Sequence, residues 1–305
     1  MPKFKSIIDL LALFPTKQII INHLERSRWG GNLPVSPFDP NSQVYKCANN
    51  WYKCKNTSKF FNVKTGTIFA NTKIKLKKWF FALYLLINHK KGISSCQLAK
   101  DINITQKSAW YLLDNLRSSL KQSNFIKDML ENFVEIDETF LGGKNRNKHW
   151  NKKVPHSQGR SWKDKVPVLG MLERNSNLIT KVVKNTQQSI IKPIINQNIK
   201  KGSDVYTDEW HAYKDLHHNF NHQIVNHSIK QYVNKNASTN AIENVWSHLK
   251  RSVYGTYHWV SKKHTQKYTD EAVFRYNTRK YSEHERFDLV LSSMVGKSLS
   301  CREAI

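Results

Sequence analysis

Asp137, Asp208 and Glu243 are carboxylates whose surroundings suggest chemistry rather than solvated charge. Asp137 sits in Val134-Glu135-Ile136-Asp137-Glu138-Thr139-Phe140. Strand alternation puts Val134, Ile136 and Glu138 on one face and Glu135, Asp137 and Thr139 on the other. Asp208 closes Asp204-Val205-Tyr206-Thr207-Asp208, at the carboxyl end of a short strand, the edge of an α/β sheet where ligands gather. Glu243 falls on a helix expected over 239–252. There Ile242, Val245, Trp246, Leu249 and Val253 make an apolar stripe, while Asn240, Glu243, Ser247 and Lys250 make a separate polar one. Carboxylates hold hard divalent cations, and two such cations clamp the attacking and leaving oxygens of an in-line displacement at a phosphodiester. Taken singly, each acid reads as well as a surface residue or a helix cap. The three together, on two strands and a following helix, point to phosphoryl chemistry.

The elements that must position them follow from periodicity. Val134–Leu141 is a strand ended by Gly142-Gly143. Residues 166–174 and 178–184 make a hairpin turning at Asn175–Asn177. A helix over 186–199, a strand over 204–208 and helices over 239–252 and 262–279 come next. Three strands, a helix, a fourth strand and then helices is the order of an RNase H-like α/β domain, expected at 131–280. Between its first two strands lie Lys144, Arg146, Lys148, Lys152, Lys153, Arg160, Lys163 and Lys165 against one acid, Asp164. That segment is either a solvated insertion or a grip on phosphates.

Upstream, residues 1–28 read as one or two short helices. Residues 29–61 are rich in Gly, Pro, Asn and aromatics, with strand-like pieces at 44–46 and 51–53, as in a small β-module. Helices are expected over 76–88, over 94–101 with Ser94 or Ser95 as cap, and over 105–120 with Thr105 as cap. A short helix, a tight connection at Ile102–Ile104 and a longer helix form a helix-turn-helix layout within 71–125. Its second helix turns Ala109, Leu112, Leu113 and Leu116 inward and offers Gln106, Lys107, Tyr111 and Asn115 outward. A plain tri-helical bundle would give the same pattern. Residues 281–305 read as a tail.

The bulk composition agrees with a nucleic-acid partner. There are 49 Lys and Arg against 23 Asp and Glu, a net charge of +26, and neutralising phosphates releases counterions that drive binding. A hydrophobic content of 39% is that of a globular chain. Cys47, Cys54, Cys96 and Cys301 are scattered, so no disulfide framework is expected. The longest apolar run, Trp79–Ile87, is too short to cross a bilayer. A cytoplasmic protein with no membrane partner is expected.

The motifs also carry a resemblance. Glu135-Ile136-Asp137-Glu138-Thr139-Phe140-Leu141-Gly142-Gly143 resembles the first catalytic motif of the ISXO-like insertion-sequence transposases, and Val205-Tyr206-Thr207-Asp208-Glu209-Trp210-His211-Ala212-Tyr213 is similar to the second. The third is the longest. Thr239-Asn240-Ala241-Ile242-Glu243-Asn244-Val245-Trp246-Ser247-His248-Leu249-Lys250-Arg251 is followed by Gly255, His258, Val260-Ser261, Lys263-His264, Tyr268 and Phe274-Arg275-Tyr276-Asn277. The likeness extends upstream through Lys64-Thr65-Gly66-Thr67-Ile68-Phe69, Lys77-Lys78-Trp79 and Lys91-Gly92-Ile93-Ser94-Ser95.

The resemblance implies a DDE-type transposase with an RNase H-like catalytic domain. Asp137, Asp208 and Glu243 would be its metal-binding catalytic triad, with Mg²⁺ or Mn²⁺ as cofactor. Lys250, Arg251 and Asn240 of the third motif, with Gln106 and Lys107 upstream, would contact DNA. The partners implied are element ends and target DNA, with the protein acting as a homo-oligomer on them. One part departs from the pattern: family members carry a ribbon with two Cys-x-x-Cys knuckles, and here the four positions are Ser36, Asp39, Cys54 and Thr57. Residues 29–70 are therefore expected to be a degenerate ribbon without structural zinc, since closed zinc sites use four Cys or His ligands. Two alternatives stay open at this stage: a repurposed transposase that binds DNA without cutting it, and an RNase H-like nuclease.

Overall fold

The structure, a computed structural model, describes residues 3–143, 145–155, 157, 161, 163–225 and 238–294. Lys144 and Arg160 of the basic segment, residues 295–305 and with them Cys301 lie outside the described residues. Two compact units are formed, one from residues 1–120 and 280–305, the other from 121–279.

In the first unit, Ser6 and Asp9 form a capping box that starts α1 (Ile7–Leu13), and Thr16 caps α2 (Lys17–Trp29). Gly30, in the left-handed region at φ 61°, ends α2. A three-stranded antiparallel sheet follows, β1 (Val44–Lys46), β2 (Tyr52–Cys54) and β3 (Phe60–Phe61), in that order. Then come α3 (Leu76–Asn88), α4 (Ser95–Asp101) and α5 (Gln106–Ser119), the last two capped by the side chains of Ser94 and Thr105. The outward face of α5 needs one correction. Asn115, expected to be exposed, is fully buried and its amide donates to the Tyr111 carbonyl at 2.8 Å, whereas Gln106 and Lys107 are exposed.

The four ribbon positions are drawn together with a single thiol among them. Cys54 is fully buried. Burial works to raise its thiol pKa, but hydrogen bonds with the hydroxyls of Ser36, Ser42 and Thr57 outweigh it and hold the group down at about 6. Asp39 is tied across to Asn56, whose amide donates to it at 2.7 Å. The ring of Tyr52 meets Trp29 and Phe61, and Phe38 meets Phe61 edge-on. Hydrogen bonds and aromatic packing thus join the two loops that zinc would otherwise knit. Elemental analysis of protein purified without chelator should find no stoichiometric zinc in this module. One tightly held zinc per chain, lost in Cys54→Ser, would show the opposite.

The second unit is built on a five-stranded sheet. Its strands are β4 (Phe133–Leu141), β5 (Val166–Glu173), β6 (Leu178–Val182), β7 (Asp204–Thr207) and β8 (Asn221–Ile224), in the order β6-β5-β4-β7-β8. β4, β5 and β6 are antiparallel neighbours, while β7 runs parallel to β4 and β8 parallel to β7. The hairpin turns through Asn175 at φ 61°. β8 was not anticipated, because Asn-His-Gln-Ile shows no alternation.

Helices cover both faces of the sheet. α6 (Gln188–Asn198) packs Ile191 and Ile195 with Val134, Ile136, Leu169, Met171 and Val205. On the other face α7 (Asn240–Ser252) and α8 (Thr265–Asn277) pack Ile242, Trp246, Leu249 and Val273 with Leu141, Val168 and Leu172. β4 and β5 therefore bury both sides, as central strands between two helical layers do. Residues 281–305, read as a tail, contain a further helix, α9 (Glu283–Ser293), started by a Ser282–Glu285 capping box. It packs in the first unit, where Phe287 meets Phe4 and Phe80 edge-on. No single helix among the described residues is long and apolar enough to cross a membrane.

Candidate active site

β4, the end of β7 and one face of α7 converge on a pocket of about 430 Å³ lined by Asp137, Glu138, Asp208, Glu243, Ser247 and Lys250, with Thr139, Thr239 and Trp246. The three sequence-predicted acids and Lys250 are thus brought to one cavity from three elements. Each acid is held locally. The Asp137 Oδ2 atom accepts from the Trp246 indole N–H at 3.0 Å, Asp208 Oδ1 from the Trp210 backbone N–H at 3.1 Å, and Glu243 Oε1 from the Thr239 hydroxyl at 3.2 Å. Glu243, Ser247 and Lys250 recur one turn apart on α7, so one helix face delivers all three. Asn240 and Arg251 do not line the pocket. Arg251 turns back on its own helix to the Ser247 carbonyl and hydroxyl at 3.2 and 2.9 Å. Gln106 and Lys107 belong to the first unit.

Burial, first, and the neighbouring Asp208 charge push the Asp137 carboxyl up to about 6; Glu243 adds to this, and the Glu138 backbone N–H and the Trp246 indole oppose it. Like charges crowded in a half-dry pocket are what a cation relieves. The donors are all oxygen, the set that hard divalent ions take. In donor chemistry the residues fit Mg²⁺ or Mn²⁺. As arranged, no three His, Cys, Asp or Glu side chains among the described residues close around a single ion.

A pH effect on stability follows from the Asp137 shift. Its folded pKa, about 6, lies above the ordinary 3.8. The stabilisation it contributes is complete below pH about 4 and is lost as pH rises through about 6, up to about 3 kcal/mol. With chelator present, Asp137→Asn should match the parent near pH about 4 and melt above it near pH about 7.5. Mg²⁺ should narrow that gap. Parallel melting curves of the two proteins across that range would remove the assignment.

Two supporting residues have roles that the motifs do not reveal: Gly170 lies outside them, and Glu135 opens the first without a role of its own there. Gly170 on β5 stands opposite Asp137, and a Cβ there would lie 2.4 Å from Cζ2 and 2.5 Å from Cη2 of Trp246. The missing side chain leaves room for the indole against β5, with its N–H on Asp137. Gly170→Ala should cost about 1–3 kcal/mol by overpacking and move the indole off the carboxylate. A variant with unchanged melting temperature would show that the ring has room. The second is Glu135, fully buried. It accepts from the backbone N–H groups of Ala241 and Ile242 at 3.0 Å each and pairs with Arg174 at 2.8 Å.

The downstream part of the third motif is structural. The Asn277 amide donates to the Leu178 carbonyl and accepts from its N–H, at 3.0 and 2.8 Å, closing the edge of β6. Arg275 pairs with the buried Glu271, which also accepts from the Tyr257 hydroxyl. These contacts hold α8, with no group reaching the pocket.

An ISXO2-like transposase domain matches residues 129–277, the span that holds the sheet and the pocket. An uncharacterised transposase-like protein of Haemophilus influenzae is 35% identical over 121 residues, 39% of this chain and 94% of that protein. An uncharacterised protein in transposable element ISH50 of Halobacterium salinarum is 28% identical over 201 residues, 63% of this chain and 67% of that protein. Among solved structures, a chain of the Mos1 strand transfer complex aligns with 72% of this chain and 79% of its own length, at 14% identity and a TM-score of 0.28. The chain belongs to the ISXO2-like transposase family.

Proposed function

We propose that this protein is a DDE-type DNA transposase that cuts the ends of an insertion sequence and joins the freed 3′-hydroxyls to target DNA. The observation that carries the reading is the shared pocket: Asp137, Asp208 and Glu243 arrive from a central strand, a neighbouring parallel strand and a helix, with Lys250 two turns along that helix. The RNase H-like strand order expected from the sequence supports it, as does membership of the family.

Asp137, Asp208 and Glu243 would hold Mg²⁺ or Mn²⁺. Such ions, when bound, activate the attacking oxygen and stabilise the leaving one. The residues' own work is positional. Asp137 and Asp208 fix one side of the pocket from the sheet, and Glu243 faces them from α7. The Lys250 ammonium would meet a phosphate next to the scissile bond, where the Glu243 helix face sets its reach. In the first step a water oxygen bonds to phosphorus and the P–O3′ bond breaks, leaving a 3′-hydroxyl and a 5′-phosphate. In the second, that hydroxyl's oxygen bonds to a target phosphorus and displaces the target's own 3′ oxygen. Gln106 and Lys107 on α5 would recognise end sequence, and the protein would work as a homo-oligomer on paired ends. The test is an end-cleavage assay on duplex carrying the element's terminal repeat, with Mg²⁺ or Mn²⁺ supplied or chelated. Metal-independent cutting, or none by correctly folded protein on that duplex, counts against the proposal.

A further inference from the structure

A lysine-lined cavity lies within the first unit. It holds about 650 Å³ between the start of α2, the turn before β2, the segment after β3 and the start of α3. Five lysines line it, Lys17, Lys64, Lys73, Lys75 and Lys77, and no carboxylate does. None of the five is in an ion pair among the described residues. Lys17, Lys73 and Lys75 are exposed. Five uncompensated ammonium groups around one concavity repel one another, and the matching ligand is a polyanion with repeated charges.

Trp51 lies on the wall of the same cavity and is 41% exposed. It is not one of the rings that hold the module, since Trp29, Phe38, Tyr52 and Phe61 meet each other without it. An exposed indole beside a row of lysines is the arrangement on which single-stranded nucleic acid binds, with phosphates along the charges and a base on the aromatic face. The side-chain amide of Asn50 is engaged on both sides by Gln18, at 2.9 and 3.2 Å. That clamp holds the turn carrying Trp51 against α2. α3 contributes Lys75, Leu76 and Lys77 to the wall, with no side-chain cap and no acid in its first turn. Its first amides therefore add to the positive field already set by the lysines.

Shape selects the form of nucleic acid. Duplex is read by convex elements that enter its grooves, whereas a concave pocket takes an unpaired strand. We propose that this groove binds an unpaired stretch of DNA, its phosphates on Lys17, Lys64, Lys73, Lys75 and Lys77 and a base stacked on Trp51. DNA is chosen over RNA because the proposal rests on the transposase reading, in which strands open at the element ends being cut and joined.

The experiment uses the full chain in chelating buffer, so that nothing is cut. Fluorescence anisotropy compares a labelled single-stranded DNA with the matched duplex and with RNA of the same sequence. The combined variant Lys73→Glu/Lys75→Glu should bind the single strand about a hundredfold more weakly and with a salt dependence reduced by about two phosphate contacts. Trp51→Ala should lose about tenfold and Trp51→Phe should recover most of it. Duplex affinity should change less than about threefold in all of them, the groove being a single-strand site. Unchanged single-strand binding in the lysine variant overturns the proposal. So does an equal loss on duplex, which would reduce the groove to part of a general field, and so does tighter binding to RNA than to DNA. Circular dichroism melting of each variant separates lost binding from lost fold. Asp208→Ala, carried in parallel, should bind the single strand as the parent does. If, in a separate assay with Mg²⁺ supplied, it still nicks duplex while the lysine variants lose the strand, the catalytic reading falls and the groove stands. If it is inactive while the lysine variants bind normally, the groove alone falls.

Discussion

Asp208→Ala is expected to reduce metal-dependent nicking of element-end DNA by at least about a thousandfold, roughly 4 kcal/mol of lost transition-state stabilisation. Asp137→Ala and Glu243→Ala should do the same, because the three acids would act as one cation-binding unit and their effects should not add. DNA affinity without metal should stay level or rise slightly in each, since removing a carboxylate from a pocket meant for a phosphodiester removes repulsion. Glu243 is the exposed member of the three and Asp208 the buried one. Asp208→Ala also removes the acceptor of the Trp210 N–H at the end of β7, so melting must be followed alongside rate. Glu243→Ala gives up the Thr239 hydroxyl contact at an exposed position and is the cleaner chemical test. The assay is gel quantitation of nicked strand with Mg²⁺ and with Mn²⁺. A Glu243→Ala protein that melts normally and cuts at the parental rate would take Glu243 out of the mechanism.

The acids were legible in the sequence because they break a pattern. In a basic chain, carboxylates inside a strand that also carries Val134, Ile136 and Phe140 need a reason, and strand alternation put Asp137 on the face that β4 turns toward α7. The polar stripe on α7 was legible for the same reason, since period 3.6 separates Glu243, Ser247 and Lys250 from Ile242, Val245, Trp246 and Leu249. Long-range partnerships were not. Alternation shows that Glu135 shares a face with Asp137, but no local rule says that it meets backbone N–H groups of Ala241 and Ile242. Gly170 reads in sequence as a weak spot in a strand, and the close approach of Trp246 and Ile242 from α7 explains it. α9 is a different case. Its Ser282–Glu285 box and its Phe287, Val290 and Leu291 were readable as a helix, but the terminal position favoured a tail. On α5 the inward face is wider than its apolar stripe, because Asp114, Asn115 and Arg117 are buried beside Leu112, Leu113 and Leu116.

Glu135→Ala is expected to be the most damaging substitution outside the acids that would bind metal. The carboxylate lies on β4, two residues before Asp137, and is the register partner of Tyr206 on β7, two residues before Asp208. Its Oε2 accepts from Ala241 and Ile242 at the start of α7, the helix that carries Glu243. Thr239, at the capping position, makes no side-chain cap, so a residue from another strand does the capping and opposes the positive helix end. Arg174 extends the node. It pairs with Glu135 Oε1 at 2.8 Å, donates to the Ser238 carbonyl and hydroxyl at 3.2 and 2.9 Å, and lies 4.8 Å over the Tyr206 ring. One carboxylate thus ties together the three elements that bear Asp137, Asp208 and Glu243. Alanine would take the acceptor from the Ala241 and Ile242 N–H groups, the second of them buried, and the carboxylate from the Arg174 guanidinium, at a cost of about 3–5 kcal/mol. Glu135→Gln keeps the shape and one acceptor, so it should fold. Loosening α7 against the sheet should then lower kcat by about 10–100-fold, with duplex affinity nearly unchanged. Glu135→Asp, which keeps the charge on a shorter stem, should recover part of that loss. The decisive readout is rate at a temperature well below each melting point. A Glu135→Gln protein that melts early yet cuts at the parental rate when cold would reduce Glu135 to a stabilising residue, whereas a slowed kcat in a fully folded protein would make it the positioning residue for the Glu243 helix.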